Sequence, residues 1–261
     1  MSATHYSGPL LYSGANKSTY FAGMSDLPVS FNLSTFSLLD DFVGVAIDST
    51  NNWTVVKDSG AAVAIVADTV GGEVALTSTA TTDDDGASIQ GNEIFSVAAD
   101  KVLYFQTRVK CNDADQTDLC FGLTVNFATN PEAMLTAADR IVFQVNDGNA
   151  SILCKTEKDG TETSTDSLVD LEDNTYVVLG FAVTGTGSVQ FFINGKLVAT
   201  HLTNIPDDEN LALAAMSVSG SATGTRATTI DYIFGALGGQ HHQRYRSQSV
   251  AGQGLAPPRI R

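Results

Sequence analysis

Basic residues are scarce in this chain: 14 Lys and Arg stand against 29 Asp and Glu, giving a formal net charge of −15. A surface of that sign repels phosphate backbones and anionic membranes, so neither nucleic acid nor membrane is an expected partner. Tryptophan occurs once, at Trp53. Three cysteines, Cys111, Cys120 and Cys154, are an odd number without zinc spacing and read as reduced, buried side chains, with one pairing left open. No apolar run approaches the 18 residues that a membrane helix needs. The opening "MSATHYSGPLLYSGANK" has no basic stretch followed by an apolar core, so no secretory signal is expected, and the protein is read as made in a cytoplasm. Charge is low at 16%, but 43% of the residues are hydrophobic, enough for a sizeable core.

The scarce bases are unevenly placed. After Asp231 there are no acids, only Arg244, Arg246, Arg259 and Arg261, which leaves residues 1–231 with 10 bases, 29 acids and a net charge of −19. The stretch 237–261 thus reads as a basic, irregular tail holding Tyr245, Ile260 and two adjacent prolines. Three roles fit it: an idle end, a weak salt-sensitive nucleic-acid contact, or a segment docked on another protein. Docking is the favoured reading, because Arg and Tyr are enriched in interfaces and prolines lower the entropy cost of holding an extended segment. Residues 1–36 read as a second arm. They are rich in Ser, Gly, Asn and Thr, yet carry Tyr6, Leu10, Leu11 and Tyr12 as apolar contacts.

Between them, 37–236 is written in short runs of Val, Ile, Phe and Thr separated by Asp147-Gly148, Asp159-Gly160 and Asn194-Gly195. "KVLYFQTRVKC" alternates cleanly, with Leu103, Phe105, Thr107, Val109 and Cys111 on the expected core face. "TYVVLGFAV" is apolar on both faces and predicts a central strand. One helical turn or two is predicted at "NPEAMLTAAD", where Pro131 follows an Asn130 cap. The pattern as a whole predicts an all-β sandwich.

The hairpin "FFINGKLVA" and the strand and loop text around it, "TYVVLGFAVTGTGSVQFFINGKLVATHLTNIPDDENLALAAMSV", resemble the concanavalin A-like, laminin-G-like jelly rolls. The opening "THYSGPLLYSG", with "RIVFQVNDGNASILCKTEKDGTETST", is similar to head proteins of tailed bacteriophages. The resemblance implies a capsid decoration, or cement, protein: a jelly-roll antiparallel β-sandwich with extended N- and C-terminal arms, on the exterior of the capsid of a virion assembled in a bacterial host. Its implied partners are the major capsid protein and sister copies, with a trimer at a threefold position. The alternative is a lectin-like module of a phage fibre or tail that recognises host glycans.

Glycoside hydrolases on this fold use carboxylates along one strand, conventionally Glu-x-Asp-x-x-Glu, and no run here matches; "TTIDYIFG" offers Asp231 alone, expected at a sheet edge or facing a loop. The expectation is therefore a non-enzymatic protein without cofactors. "TTDDDGAS" places Asp83, Asp84 and Asp85 on a turn, either a solvated acidic loop or a calcium site, although the spaced ligand pattern is missing. Trp53, opening a strand, is either a packed side chain or, under the lectin alternative, a stacking platform for a sugar. His5, His201, His241 and His242 have no partner at metal spacing.

Overall fold

Alternation at 101–111 has the expected outcome: Leu103, Phe105, Thr107, Val109 and Cys111 are buried on one side, while Val102, Gln106, Arg108 and Lys110 are partly exposed on the other. The computed structural model describes residues 35–78, 82–127, 129–220 and 224–239. Their strands, in chain order, are β1 (Thr35–Asp40), β2 (Thr54–Lys57), β3 (Ala62–Ile65), β4 (Val74–Ser78), β5 (Gly86–Gln90), β6 (Phe95–Ser96), β7 (Lys101–Cys111) and β8 (Thr117–Thr124). A 3-10 turn, Pro131–Thr136, precedes β9 (Arg140–Asn146), β10 (Asn149–Lys158), β11 (Thr161–Asp170) and β12 (Val177–Thr184). The last four are β13 (Ser188–Ile193), β14 (Lys196–His201), β15 (Asn210–Ser219) and β16 (Arg226–Gly239).

Two antiparallel sheets result, packed face to face as a jelly-roll sandwich. The first runs β14-β13-β12-β7-β16-β4-β3, with β1 also paired to β16; the second runs β11-β10-β9-β8-β15-β5-β2, with β6 on β15. The doubly apolar strand β12 lies inside the first sheet between β13 and β7. Two hairpins use the predicted dipeptides with both central residues at positive φ: Asp159 and Gly160 at 50° and 73°, Asn194 and Gly195 at 50° and 76°.

Phenylalanines from both sheets meet in the core. Phe105 stacks on Phe181 at 4.9 Å, and Phe191 meets Phe181 at 5.7 Å and Phe143 of the second sheet at 5.3 Å, both edge-on. Gly235 is required by this packing, since a Cβ there would stand 2.7 Å from the Phe95 ring. All three cysteines are free and buried. Burial pushes the Cys111 thiol up to about 11 and those of Cys120 and Cys154 up to about 12, which leaves them protonated and inert.

The two ends of the described body lie side by side. Thr35 of β1 pairs with Gly238 of β16, so the described body begins and ends on neighbouring strands. Strand β16 runs to Gly239 because its later half, 233–238, is held by β1 on one side and β7 on the other.

Candidate functional site

Four places on the body bring polar side chains together, and the outer face of the second sheet is the most elaborate. Arg140 projects outward from β9 and is 3% exposed. Its Nε donates to Glu157 of β10 at 2.7 Å and one terminal nitrogen to Glu162 of β11 at 3.0 Å. The other terminal nitrogen donates to the Met134 carbonyl at 3.0 Å, to the Leu135 carbonyl, and to Gln144 at 3.3 Å. Lys155 adds a 3.0 Å contact to Glu162. The guanidinium therefore ties two strands to the 3-10 turn that lies over the sheet.

That turn is held from its other side by packing. Asn130 caps it, its side-chain oxygen accepting from the Glu132 N–H at 3.2 Å, with Pro131 next as predicted. Met134 and Phe127 then pack on Cys120, Val142, Ala214, Met216 and Val218, sealing the centre of the face. The outward positions of β9 are Arg140, Val142 and Gln144, none of them acidic, and the nearest carboxylates, Glu157 and Glu162, are shared out to Arg140 and Lys155. What this arrangement does is hold a loop in place.

The first sheet carries a more open cluster. Asp231 accepts from Arg108 at 2.5 Å, the guanidinium lies 3.7 Å from the centre of the Tyr176 ring, and Lys110 approaches the same ring at 4.5 Å. The Tyr176 hydroxyl donates to Glu73; burial and that carboxylate push the phenol upward. Asp231, expected at a sheet edge or facing a loop, is thus in an interior strand. A bulge between Ile230 and Tyr232 turns both Asp231 and Tyr232 outward.

One end of the sandwich is acidic. Asp83 and Asp84 are exposed and Asp85 half-buried, on a turn in which Asp84 takes φ 65° and its N–H donates to the Ser219 carbonyl at 2.7 Å. Beside it, Asp118 is pushed up to about 6, first by burial and then by the carboxylates of Asp147, Asp84 and Asp83. Among the described residues no three His, Cys, Asp or Glu side chains converge on one point, Asp83, Asp84 and Asp85 included. The fourth place is a polar cleft at the opposite end, near the β10–β11 hairpin.

Trp53 is a packed side chain, not the platform that the lectin alternative would need. It is 3% exposed, tilted against Phe42 at 6.1 Å, and its indole N–H donates to Asp40 at 2.6 Å, so neither ring face is available to a sugar. His201 is also buried: its ring nitrogens face the hydroxyls of Thr156 and Thr165, each at 3.0 Å, and burial lowers its pKa. Tyr6, Leu10, Leu11, Tyr12, Arg244, Tyr245, Arg246, Arg259, Ile260 and Arg261 lie outside the described residues, as do His5, His241 and His242. The Arg140 network was missed altogether. Half of it was readable, because a two-residue turn at Asp159-Gly160 fixes Glu157 opposite Glu162.

No family model matches the chain, and no curated protein matches it. Solved structures do share its fold. An endo-1,3-β-glucanase from Streptomyces sioyaensis superposes with a TM-score of 0.57 at 13% identity, over 79% of this chain and 97% of that one. A glycoside hydrolase family 16 enzyme of Bacteroides ovatus gives 0.55 at 12% identity, over 75% and 98%. A protein of unknown function from Shewanella oneidensis MR-1 gives 0.56 at 17% identity, over 79% and 87%. The fold is therefore the concanavalin A-like jelly roll seen in carbohydrate-active proteins. The expectation of a non-enzymatic chain is overturned at this point: its fold is shared with glucanases, so the fold gives no ground for setting enzyme activity aside.

Proposed function

We propose that this chain is a structural subunit of a tailed-phage virion, a decoration or cement protein on the capsid exterior that binds shell protein and sister copies through its terminal segments. The observation that carries the reading is the pairing of Thr35 with Gly238. It gives segments 1–34 and 240–261 a common root, so once one has engaged a neighbour, the other meets that same neighbour at high effective concentration. Charge supports the same arrangement: four arginines follow a body of net charge −19, and opposite fields draw such surfaces together. An acidic sister subunit in a homo-oligomer is a fitting receiver for that tail.

Counting copies in purified particles by quantitative mass spectrometry tests this. A copy number of the order of the major shell protein's is expected, and absence from particles refutes the reading. A count near that of tail or fibre proteins would instead favour a second reading, recognition of host glycans, which draws its support from the glycan-acting proteins that share the fold. Assaying the purified protein for release of reducing ends from β-glucans and host polysaccharides, alongside the count, measures directly whether it cleaves glycans.

A further inference from the structure

We infer that the cleft beside the β10–β11 hairpin is a subsite for a neutral saccharide; the inference rests on the glycan-recognition reading and gives that reading a location. The cleft measures about 360 Å³, within the range of small-ligand pockets. It forms where three turns meet: the tip of the β10–β11 hairpin, the β12–β13 turn and the loop leaving β14.

Its walls are fixed before any ligand arrives. At the hairpin tip the Asp159 and Gly160 N–H groups donate to Asp139 Oδ1 at 3.1 Å and to the Ala138 carbonyl at 2.9 Å. Thr163 of β11 shares a hydrogen bond with Thr203 at 2.9 Å and receives the Asn204 amide at 2.9 Å, which fastens the loop after β14 to the second sheet. Thr156 donates to the Thr203 carbonyl at 3.1 Å, and buried Ile205 closes the loop from beneath. Ligand binding at such walls loses little ordering entropy.

The chemistry of the lining selects the class. The hydroxyls of Thr161 and Thr186 can each donate and accept, and sugar hydroxyls do the same. Lys158 is already ion-paired with Asp207 and lies 3.4 Å from Asp208, and Asp159 adds a further carboxylate to the lining, so the cleft repels an anion rather than selecting one. Leu202, 67% exposed at the rim, offers an aliphatic patch for the C–H face of a sugar ring. A ligand with many hydroxyls, no charge and one apolar face fits all three features.

The test is a ¹H–¹⁵N correlation titration of the full chain against laminaritetraose, cellotetraose and neutral and acidic oligosaccharides released from bacterial surfaces. A neutral oligosaccharide should move the amides of Thr161, Thr186 and 202–207, and Leu202→Asp and Thr186→Arg should each weaken it at least tenfold with the remaining spectrum unchanged. Both positions are exposed, so folding is spared, and Arg108→Gln on the first sheet should bind as the parent does. Saccharide binding that survives both changes overturns the cleft and leaves the glycan reading standing. Binding by none of the sugars overturns both, and binding confined to acidic sugars and abolished by salt overturns the neutral class.

Discussion

Two ion pairs of the same chemistry sit on opposite faces of this sandwich. Arg140 meets Glu157 at 2.7 Å with side-chain exposures of 3% and 11%; Arg108 meets Asp231 at 2.5 Å with exposures of 37% and 19%. Their lengths differ by 0.2 Å, and the shorter is the wetter. Coulomb attraction between groups this close is set less by separation than by the water around them, so distance alone ranks the two wrongly. The sealed pair belongs to the packing of the second sheet, where it fastens the 3-10 turn. The open pair belongs to the surface.

The largest effect should come from breaking the sealed pair. Arg140→Ala leaves Glu157 buried without its partner and removes the donors that hold the Met134 and Leu135 carbonyls. The expected cost is about 3–5 kcal/mol, the usual range for orphaning one member of a buried pair. For a domain of this size that lowers the melting temperature by on the order of 10 °C, readable by calorimetry. Limited proteolysis should then open the chain within 125–138, since the loop loses its anchor. A loss below about 1 kcal/mol would mean that the packing of Met134 and Phe127 holds the turn unaided.

Between the extremes lies Asp118, a carboxylate only 7% exposed and with no ion pair among the described residues. Its folded value of about 6 exceeds the 3.8 of an unperturbed aspartate, so the folded state holds the proton more tightly. Stability from this group is therefore present below about pH 4, declines as the pH rises through about 6, and stays lost above. Asp118→Asn keeps the oxygen that accepts the Asp147 N–H at 2.9 Å and removes the charge. It should stabilise the protein at pH 7.5 by about 1–2 kcal/mol, after allowance for the solvent that still reaches the site, and change nothing at pH 4. Melting temperatures of both proteins across pH 4–8 check this; parallel curves would show that the carboxylate is not destabilised in the fold.

Sequence pattern revealed the scaffold of this contrast but not its poles. Period-two alternation in 101–111 assigned Arg108 to an outward face, and the Asn130-Pro131 cap located the turn that Arg140 fastens. Local chemistry sufficed for both, because each depends on neighbours within a few residues. Which carboxylate each arginine meets depends on pairings of β7 with β16 and of β9 with β10, and no local rule encodes the long-range partner of a strand. Trp53 shows the same limit. Its place at the head of a strand was legible, whereas its burial comes from Asp40 and Phe42, which the chain returns to it across a loop. Asp231 was misjudged because β16, the last strand in the chain, inserts between β7 and β4, a long-range pairing that its local sequence does not announce; a bulge then turns the side chain outward.

The smallest effect should fall on the open pair. Arg108→Gln gives up an ion pair of about 0.2–1 kcal/mol and a cation–π contact with Tyr176 of about 0.5–1 kcal/mol. Asp231→Asn gives up the first alone, so a double-mutant cycle separates the two contributions. Adding 1 M NaCl should shrink the coupling in that cycle toward zero, because ions screen a pair that water can reach, and the sealed Arg140–Glu157 coupling should scarcely change under the same salt. A coupling above about 2 kcal/mol that resists salt would mean that Arg108 is desolvated in solution. Among the described residues this face is only half-covered; an excess that disappears on dilution would show that the added cover comes from another copy, and one that survives dilution that it comes from the same chain.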